Sequence, residues 1–231
     1  MREAFARQLA RVEQRIHDEL VRAAVTLAII ADAITDPTAE KAQAIAEHGR
    51  RLRQASHSLD SQLVAITARQ APVATDLRLV LALIQLAHHA GLIANQFELI
   101  SEQLIEIDPS VVDRQRTREK LSSMTTLAGS QLQSAAAAFA ARDLTAAQQV
   151  DHDDDPIDKL NRAIFEATLE LDDAPAEREL ALRHVLIARS LERVGDNAVD
   201  IAEQAAFLVT AQLREFSDAS RPKPRRGDAT P

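Results

Sequence analysis

The stretch Leu191-Glu192-Arg193-Val194-Gly195-Asp196-Asn197-Ala198-Val199-Asp200-Ile201-Ala202-Glu203 joins an apolar stripe at helical spacing to a row of acids. Side chains four apart on a helix lie one above the other, so Glu192, Asp196 and Asp200 form an acidic ladder, with Glu203 off the step of four. Left unneutralised, like charges at that spacing repel by a few tenths of a kcal/mol per pair. A ladder at the edge of an apolar stripe therefore calls for a counter-charge, whether a metal, a basic partner or water. Gly195 costs the helix about 1 kcal/mol relative to alanine, which points to the close approach of a neighbouring helix.

The same periodicity runs outward through the chain. From Phe5 to Ile34 the apolar residues Phe5, Leu9, Val12, Ile16, Leu20, Leu27 and Ile30 recur every three or four positions, the mark of a long amphipathic helix. Thr35-Asp36-Pro37-Thr38 breaks it, with Pro37 placed to open a second helix that runs to about Arg69. After Ala71-Pro72 a third helix spans Asp76 to about Ile107, apolar almost all round between Leu79 and Leu86 and so central. Asp108-Pro109-Ser110 ends it. A fourth helix is expected from about Val111 to Ala141, where Ala135–Ala138 permits close backbone approach. A fifth includes Asp151 to Leu171, and a sixth follows Asp172-Asp173-Ala174-Pro175 and reaches about Phe216.

Asp36-Pro37-Thr38-Ala39 matches Asp143-Leu144-Thr145-Ala146, and the Pro72 break matches Pro175. Long helices with short breaks, given twice at an offset of roughly one hundred residues, indicate a duplicated three-helix unit. The expected fold is all-α, two tandem three-helix bundles of six long helices with a pseudo-two-fold duplication. The units are placed at 1–108 and 109–216, followed by a polar tail, 217–231, expected to be disordered.

Composition excludes several classes. Of 231 residues, 46% are hydrophobic, yet phenylalanine supplies all of the 3% aromatic content, so Leu, Ala, Ile and Val must build the core. Five glycines and eight prolines are few for a β-rich protein. The absence of cysteine removes disulfides, zinc–thiolate sites and thiol catalysis. A net charge of −8 argues against a general nucleic-acid binder. Met1 to Arg7 lacks the apolar core of a signal peptide, and uninterrupted apolar runs such as Leu27–Ala31 are far too short to cross a bilayer. A soluble, cytoplasmic protein is expected.

A second acidic group is Asp151-His152-Asp153-Asp154-Asp155-Pro156-Ile157-Asp158. Asp154 and Asp158 are four apart, and Ile157 and Leu160 give their helix an inward face. In an antiparallel bundle this helix can face the one bearing Glu192 and Asp196, so that four carboxylates converge. Helix bundles build metal sites from acids on facing helices. Oxygen ligands suit Mg²⁺, Ca²⁺, Mn²⁺ or iron, and His152 could add a nitrogen. Against this stands a plainer reading, in which Asp151–Asp155 is a solvated helix start whose carboxylates favour the dipole. Pro156 also bears on Asp154, which lies before the regular helix if the proline opens it. Arg193, beside two acids, is a candidate surface ion-pair partner, and His88, His89 and His184 read as structural. There is no phosphate-cradling glycine loop, nucleophile elbow or Cys/His pair, nor the Glu-x-x-His pairs of a ferritin-like oxidase.

Glu192-Arg193-Val194-Gly195-Asp196, taken with Gln70-Ala71-Pro72-Val73-Ala74-Thr75-Asp76-Leu77-Arg78 and the opening Met1-Arg2-Glu3-Ala4-Phe5, resembles the PhoU family over about residues 1–215. These are regulators of phosphate uptake and phosphate-starvation signalling. The resemblance implies a non-enzymatic adaptor between a phosphate ABC transporter, through its ATPase, and a membrane sensor histidine kinase. Such an adaptor represses the response when phosphate is plentiful. It would reach the membrane only through these partners, with a homodimer among its open assembly states. The alternative is a helical metal-binding interaction protein acting in another stress pathway.

The resemblance also implies bound metal, variously iron, zinc, magnesium or manganese, through Glu/Asp-x-x-x-Asp motifs. Those motifs fall on Asp154 with Asp158 and on Glu192 with Asp196. In the first repeat the corresponding positions are Gly49, Arg53, Gly91 and Asn95, none a carboxylate. At most one such site is expected, in the second half.

Overall fold

The computed structural model describes residues 2–113, 116–170, 175–213 and 216. The tail expected to be disordered, 217–231, lies outside the described residues. The chain is helical throughout, with no strand among those residues: α1 (Arg2–Thr35), α2 (Ala39–Gln70), α3 (Ala74–Ile105), α4 (Thr117–Ala141), α5 (Leu144–His152), α6 (Asp155–Leu169) and α7 (Pro175–Thr210). The fifth expected rod is present but broken: α5 and α6 are separated at Asp153-Asp154, so seven segments make six rods. Pro156, in the first turn of α6, has no N–H to continue the ladder from α5.

Prolines open α6 and α7, whereas α2 and α5 start at side-chain caps. Thr38 is the N-cap of α2 and its hydroxyl accepts from the Lys41 N–H (3.2 Å), which leaves Pro37 outside the helix rather than in its first turn. Asp143 caps α5 through the Ala146 N–H (3.0 Å), at the position the repeat matches to Asp36. The fourth helix begins at Thr117, later than expected, because Asp113 serves its first turn. One carboxylate oxygen of Asp113 accepts from the Thr117 N–H (3.1 Å) and hydroxyl (2.8 Å), and the other from the Arg118 N–H (2.8 Å). α7 stops at Thr210, earlier than expected, where Ala211 turns left-handed at φ 57°.

The packing is that of a duplicated unit. α2 lies on α1 and α3, and α5 with α6 lies on α4 and α7. Between the units α1 meets α4 and α3 meets α7. Each of those contacts pairs a helix with its own counterpart, as a two-fold relation requires. Gly129 allows α4 to approach α1, since a Cβ there would lie 3.5 Å from the Cβ of Leu27 and 3.6 Å from the Ala24 carbonyl oxygen. Ala135, Ala136 and Ala138 are buried as expected. Arg142 closes that side with a 2.5 Å ion pair to Glu13 of α1 while lying 4.6 Å over the Phe139 ring.

α3 is long and apolar enough to cross a membrane by length and composition, with a mean hydropathy of 1.6 over its most apolar window. It packs against α1, α2 and α7. Val80, Leu83, Leu86, Ile93, Phe97 and Ile100 are fully buried in the shared core.

Two of the histidines have structural roles. Asn197 Nδ2 donates to the Arg193 carbonyl (2.6 Å), so its Oδ1 faces His89 Nδ1 (2.9 Å) as acceptor, tying α3 to α7. The Asp200 carboxylate lies 3.5 Å from the same ring nitrogen. His184 is buried against Thr117 (2.5 Å). The threonine hydroxyl donates to Asp113, so His184 Nδ1 donates to it and the buried Nε2 is left without a partner. Burial, and secondarily Arg118, depresses His184 to about 4, against the opposing pull of Asp113.

A histidine depressed on folding favours the folded state above its unfolded pKa of about 6.5, and that contribution fades as pH falls through 4. His184 should therefore cost the protein about 2 kcal/mol between pH 7 and pH 4.5. Urea midpoints at the two pH values should converge in His184→Gln relative to the parent. An unchanged pH dependence in the variant would remove this residue from acid unfolding.

Candidate functional site

The break between α5 and α6 is what forms the site. Asp154, at the break, is the N-cap residue of α6 with helical backbone angles (φ −79°, ψ −33°). The proline therefore leaves it close to the helical path, and Asp158 follows one turn later, buried. Across from them α7 presents Glu192 and Asp196 on one side of Gly195. A Cβ at Gly195 would lie 2.8 Å from Asp154 Oδ1, 3.0 Å from Gln131 Oε1 and 3.3 Å from Ile157 Cδ1. Gly195 is there for the close approach expected of it, and what approaches is a carboxylate.

The electrostatics show that the four acids share one field. Burial pushes Asp154 up to about 6, helped by the charges of Asp158, Asp151 and Glu192, while a hydrogen bond from Gln131 opposes the rise. Desolvation also leads for Asp196, with Glu192, Asp154 and Asp158 adding to it and Arg189 opposing, and it rises to about 7. By surface area Asp196 is exposed, so water screens part of this repulsion. Asp154, partly covered and hydrogen-bonded, is the better-held member. The cluster is gathered but not closed: among the described residues no three Asp, Glu or His side chains already stand where they would hold an ion. Glu192 is turned toward Arg189 instead, in a short ion pair three residues apart. Arg193, the partner expected for the ladder, is exposed.

Two participants carried no acidic signal. Arg189 follows from its spacing to Glu192. Gln131, on α4, is 2% exposed and donates through Nε2 to Asp154 Oδ1 (3.0 Å) and to the Val150 carbonyl (3.2 Å). Its Oε1 is buried without a hydrogen-bond partner. His152 is exposed. The donor set around Gly195 is therefore carboxylate and amide oxygen, which suits a hard cation.

In the first repeat the matching seam is filled by other chemistry. A Cβ on Gly49 would lie 3.0 Å from the Ala94 carbonyl oxygen and 3.0 Å from Glu98 Cγ. Arg53 pairs with Glu98 (2.8 Å) where a cation would otherwise be needed. A Cβ on Gly91 would lie 2.9 Å from the Ser56 hydroxyl, which donates to the Ala87 carbonyl (2.7 Å), and Asn95 is exposed.

Fold and site together define a tandem helical-bundle protein with an acidic centre in its second unit. The PhoU domain model matches this chain twice, at residues 8–104 and 121–205, and the chain belongs to the PhoU family. It is 25% identical over 209 residues to "Phosphate-specific transport system accessory protein PhoU homolog 1" of Methanothermobacter thermautotrophicus, covering 90% of this chain and 95% of that one. Its fold is similar to that of the phosphate transport system regulatory protein PhoU from Streptococcus pneumoniae, with a TM-score of 0.83 at 19% identity, over 92% of this chain and 100% of that one. It is also similar to PhoU from Pseudomonas aeruginosa, with a TM-score of 0.72 at 25% identity, covering 91% and 97%.

An acid raised on folding favours the folded state below its unfolded pKa, and that contribution is lost as pH rises through the folded value. At pH 8 without added cation, ionised Asp154 therefore works against folding. Asp154→Asn keeps an oxygen for Gln131 and should stabilise the apo protein by about 1–2 kcal/mol at pH 8. The gain should fall to roughly half by pH 5 and vanish only below the unfolded carboxyl pKa of about 3.9. Thermal midpoints that fall at pH 8 in the variant would contradict the repulsion.

Proposed function

We propose that this chain is a PhoU-type regulator of phosphate transport. It acts as a non-enzymatic adaptor between the ATPase of a phosphate ABC transporter and a membrane sensor histidine kinase, on the cytoplasmic side, and restrains the starvation response when phosphate is plentiful. The observation that carries this reading is the pair of PhoU-domain matches spanning most of both units. The Methanothermobacter relative, itself named as a transport-system accessory protein, aligns along 95% of its length, so no separate part of it is left to account for that role. The units proposed are 1–108 and 109–216.

The reading includes a metal held by Asp154, Asp158, Glu192 and Asp196. Two raised carboxyls beside two further acids are what a bound cation would lower and hold ionised. Released from Arg189, Glu192 would turn inward, and the cation would neutralise the ladder while the residues of α6 and α7 position it. Among iron, zinc, magnesium and manganese, the oxygen donors favour magnesium or manganese.

Affinity capture of the tagged protein from phosphate-replete cells should retain the transporter ATPase or the sensor kinase. Deletion should raise phosphate-regulated expression in replete medium. Recovery of neither partner together with unchanged expression would refute the adaptor role. Separately, Glu192→Ala with Asp196→Ala should lower bound divalent metal in elemental analysis of the purified protein. Equal metal in the double variant would remove these residues from the site.

A further inference from the structure

Gln131 brings an uncharged polar side chain to the acidic centre, and it comes from a third helix. Its amide is fixed in orientation. Nε2 has two acceptors, Asp154 Oδ1 at 3.0 Å and the Val150 carbonyl at 3.2 Å, so the nitrogen end is assigned by its partners. The oxygen end is then committed to the other side, where it is buried and unpartnered. That oxygen and Asp154 Oδ1 converge over Gly195, 3.0 and 2.8 Å from the position a Cβ would take. A buried amide acceptor left unpaired carries a desolvation cost that a partner would remove. Any larger residue at 195 would collide with both oxygens. A buried, unpartnered acceptor lying over Gly195, on the turn between Glu192 and Asp196, is suited to an electron-pair acceptor, and carboxyamide oxygens are ordinary ligands of hard cations.

We propose that Gln131 supplies a neutral oxygen ligand to a divalent cation held with Asp154 and Asp158 from α6 and with Glu192 and Asp196 from α7. The inference rests on the cation-binding reading above and extends it to all three rods of the second unit. With four carboxylates and an amide, and His152 exposed, the site selects Mg²⁺ or Mn²⁺ over metals that prefer imidazole. By bonding Asp154 through its nitrogen and the ion through its oxygen, Gln131 would orient a ligand and serve as one. The first repeat has no equivalent demand, because Arg53 and Glu98 neutralise each other there.

The test is a Mn²⁺ titration of the full chain, followed by electron paramagnetic resonance of the free ion. Side-chain amide resonances of Gln131 are recorded in parallel while Mg²⁺ is added. The parent should bind saturably, and Gln131→Met, of similar volume, should bind about tenfold more weakly. Gln131→Glu, which keeps an oxygen at the same reach, should retain binding and controls for damage to the fold. The Gln131 amide resonance should shift with Mg²⁺ in the parent and stay in place in Glu192→Gln. Equal Mn²⁺ affinity in the parent and Gln131→Met, with an unmoved Gln131 resonance, would overturn the assignment while leaving the acidic site intact. Absence of saturable Mn²⁺ binding by the parent itself would overturn both.

Discussion

Four carboxylates are brought together where α6 begins against α7, and their mutual repulsion is the constraint around which the second unit is arranged. The fold does not relieve it by spacing the acids apart. Asp154 is held by Gln131, Asp158 is buried, and Glu192 is drawn away by Arg189. Gln131 and Arg189 offset only part of the cost, so burial first and the neighbouring charges second push Asp154 up to about 6 and Asp196 up to about 7. Sites with several carboxyls driven upward in one place are common where charge is to be accepted from outside. The break between α5 and α6 belongs to the same arrangement, since it sets Asp154 at the head of α6, directly over Gly195.

The two units solve the same packing problem with opposite choices. Where the helices approach most closely, the first unit places its glycine on the second rod, Gly49 facing the Ala94 backbone. The second unit places its glycine on the last rod, Gly195 facing Asp154. Matching the two repeats sets Gly49 against Asp154 and Ala94 against Gly195, so the small residue has changed sides of the seam. With the glycine on α2, no side chain is available there to serve as a ligand. With it on α7, room is made for a carboxylate from the facing helix. The asymmetry of charge is thus also an asymmetry of backbone clearance.

The rods were legible because three- and four-residue apolar spacing persists over thirty residues at a time, as in Phe5–Ile34, and nearly every position of that stripe is buried. Helix ends were less so. Asp113 serves α4 from four residues before Thr117, and nothing local distinguishes such an aspartate from one already inside a helix. At the site, the acids were legible from a step of four, and Gly195 from its cost. The expected ion-pair partner was Arg193, whereas Glu192 pairs with Arg189, because both arginines are close in sequence and rotamers decide between them. Gln131 could not be found at all. An uncharged residue on a helix gives no pattern, and its role exists only once α4 lies beside the break in the fifth rod.

The position of the acidic centre gives it a mechanical relation to the first unit. The turn from Arg193 to Asn197 carries Asp196 on one side and, through Asn197, receives His89 of α3 on the other. Asp200, the next rung of the ladder, lies beside the same histidine. The turn that carries Asp196 is therefore also the turn that the first unit grips. Packed helices shift between discrete arrangements rather than deforming continuously. The acidic centre thus lies on the same turn of α7 as the contact between the units, whereas in the first unit the matching seam holds the already neutral Arg53–Glu98 pair.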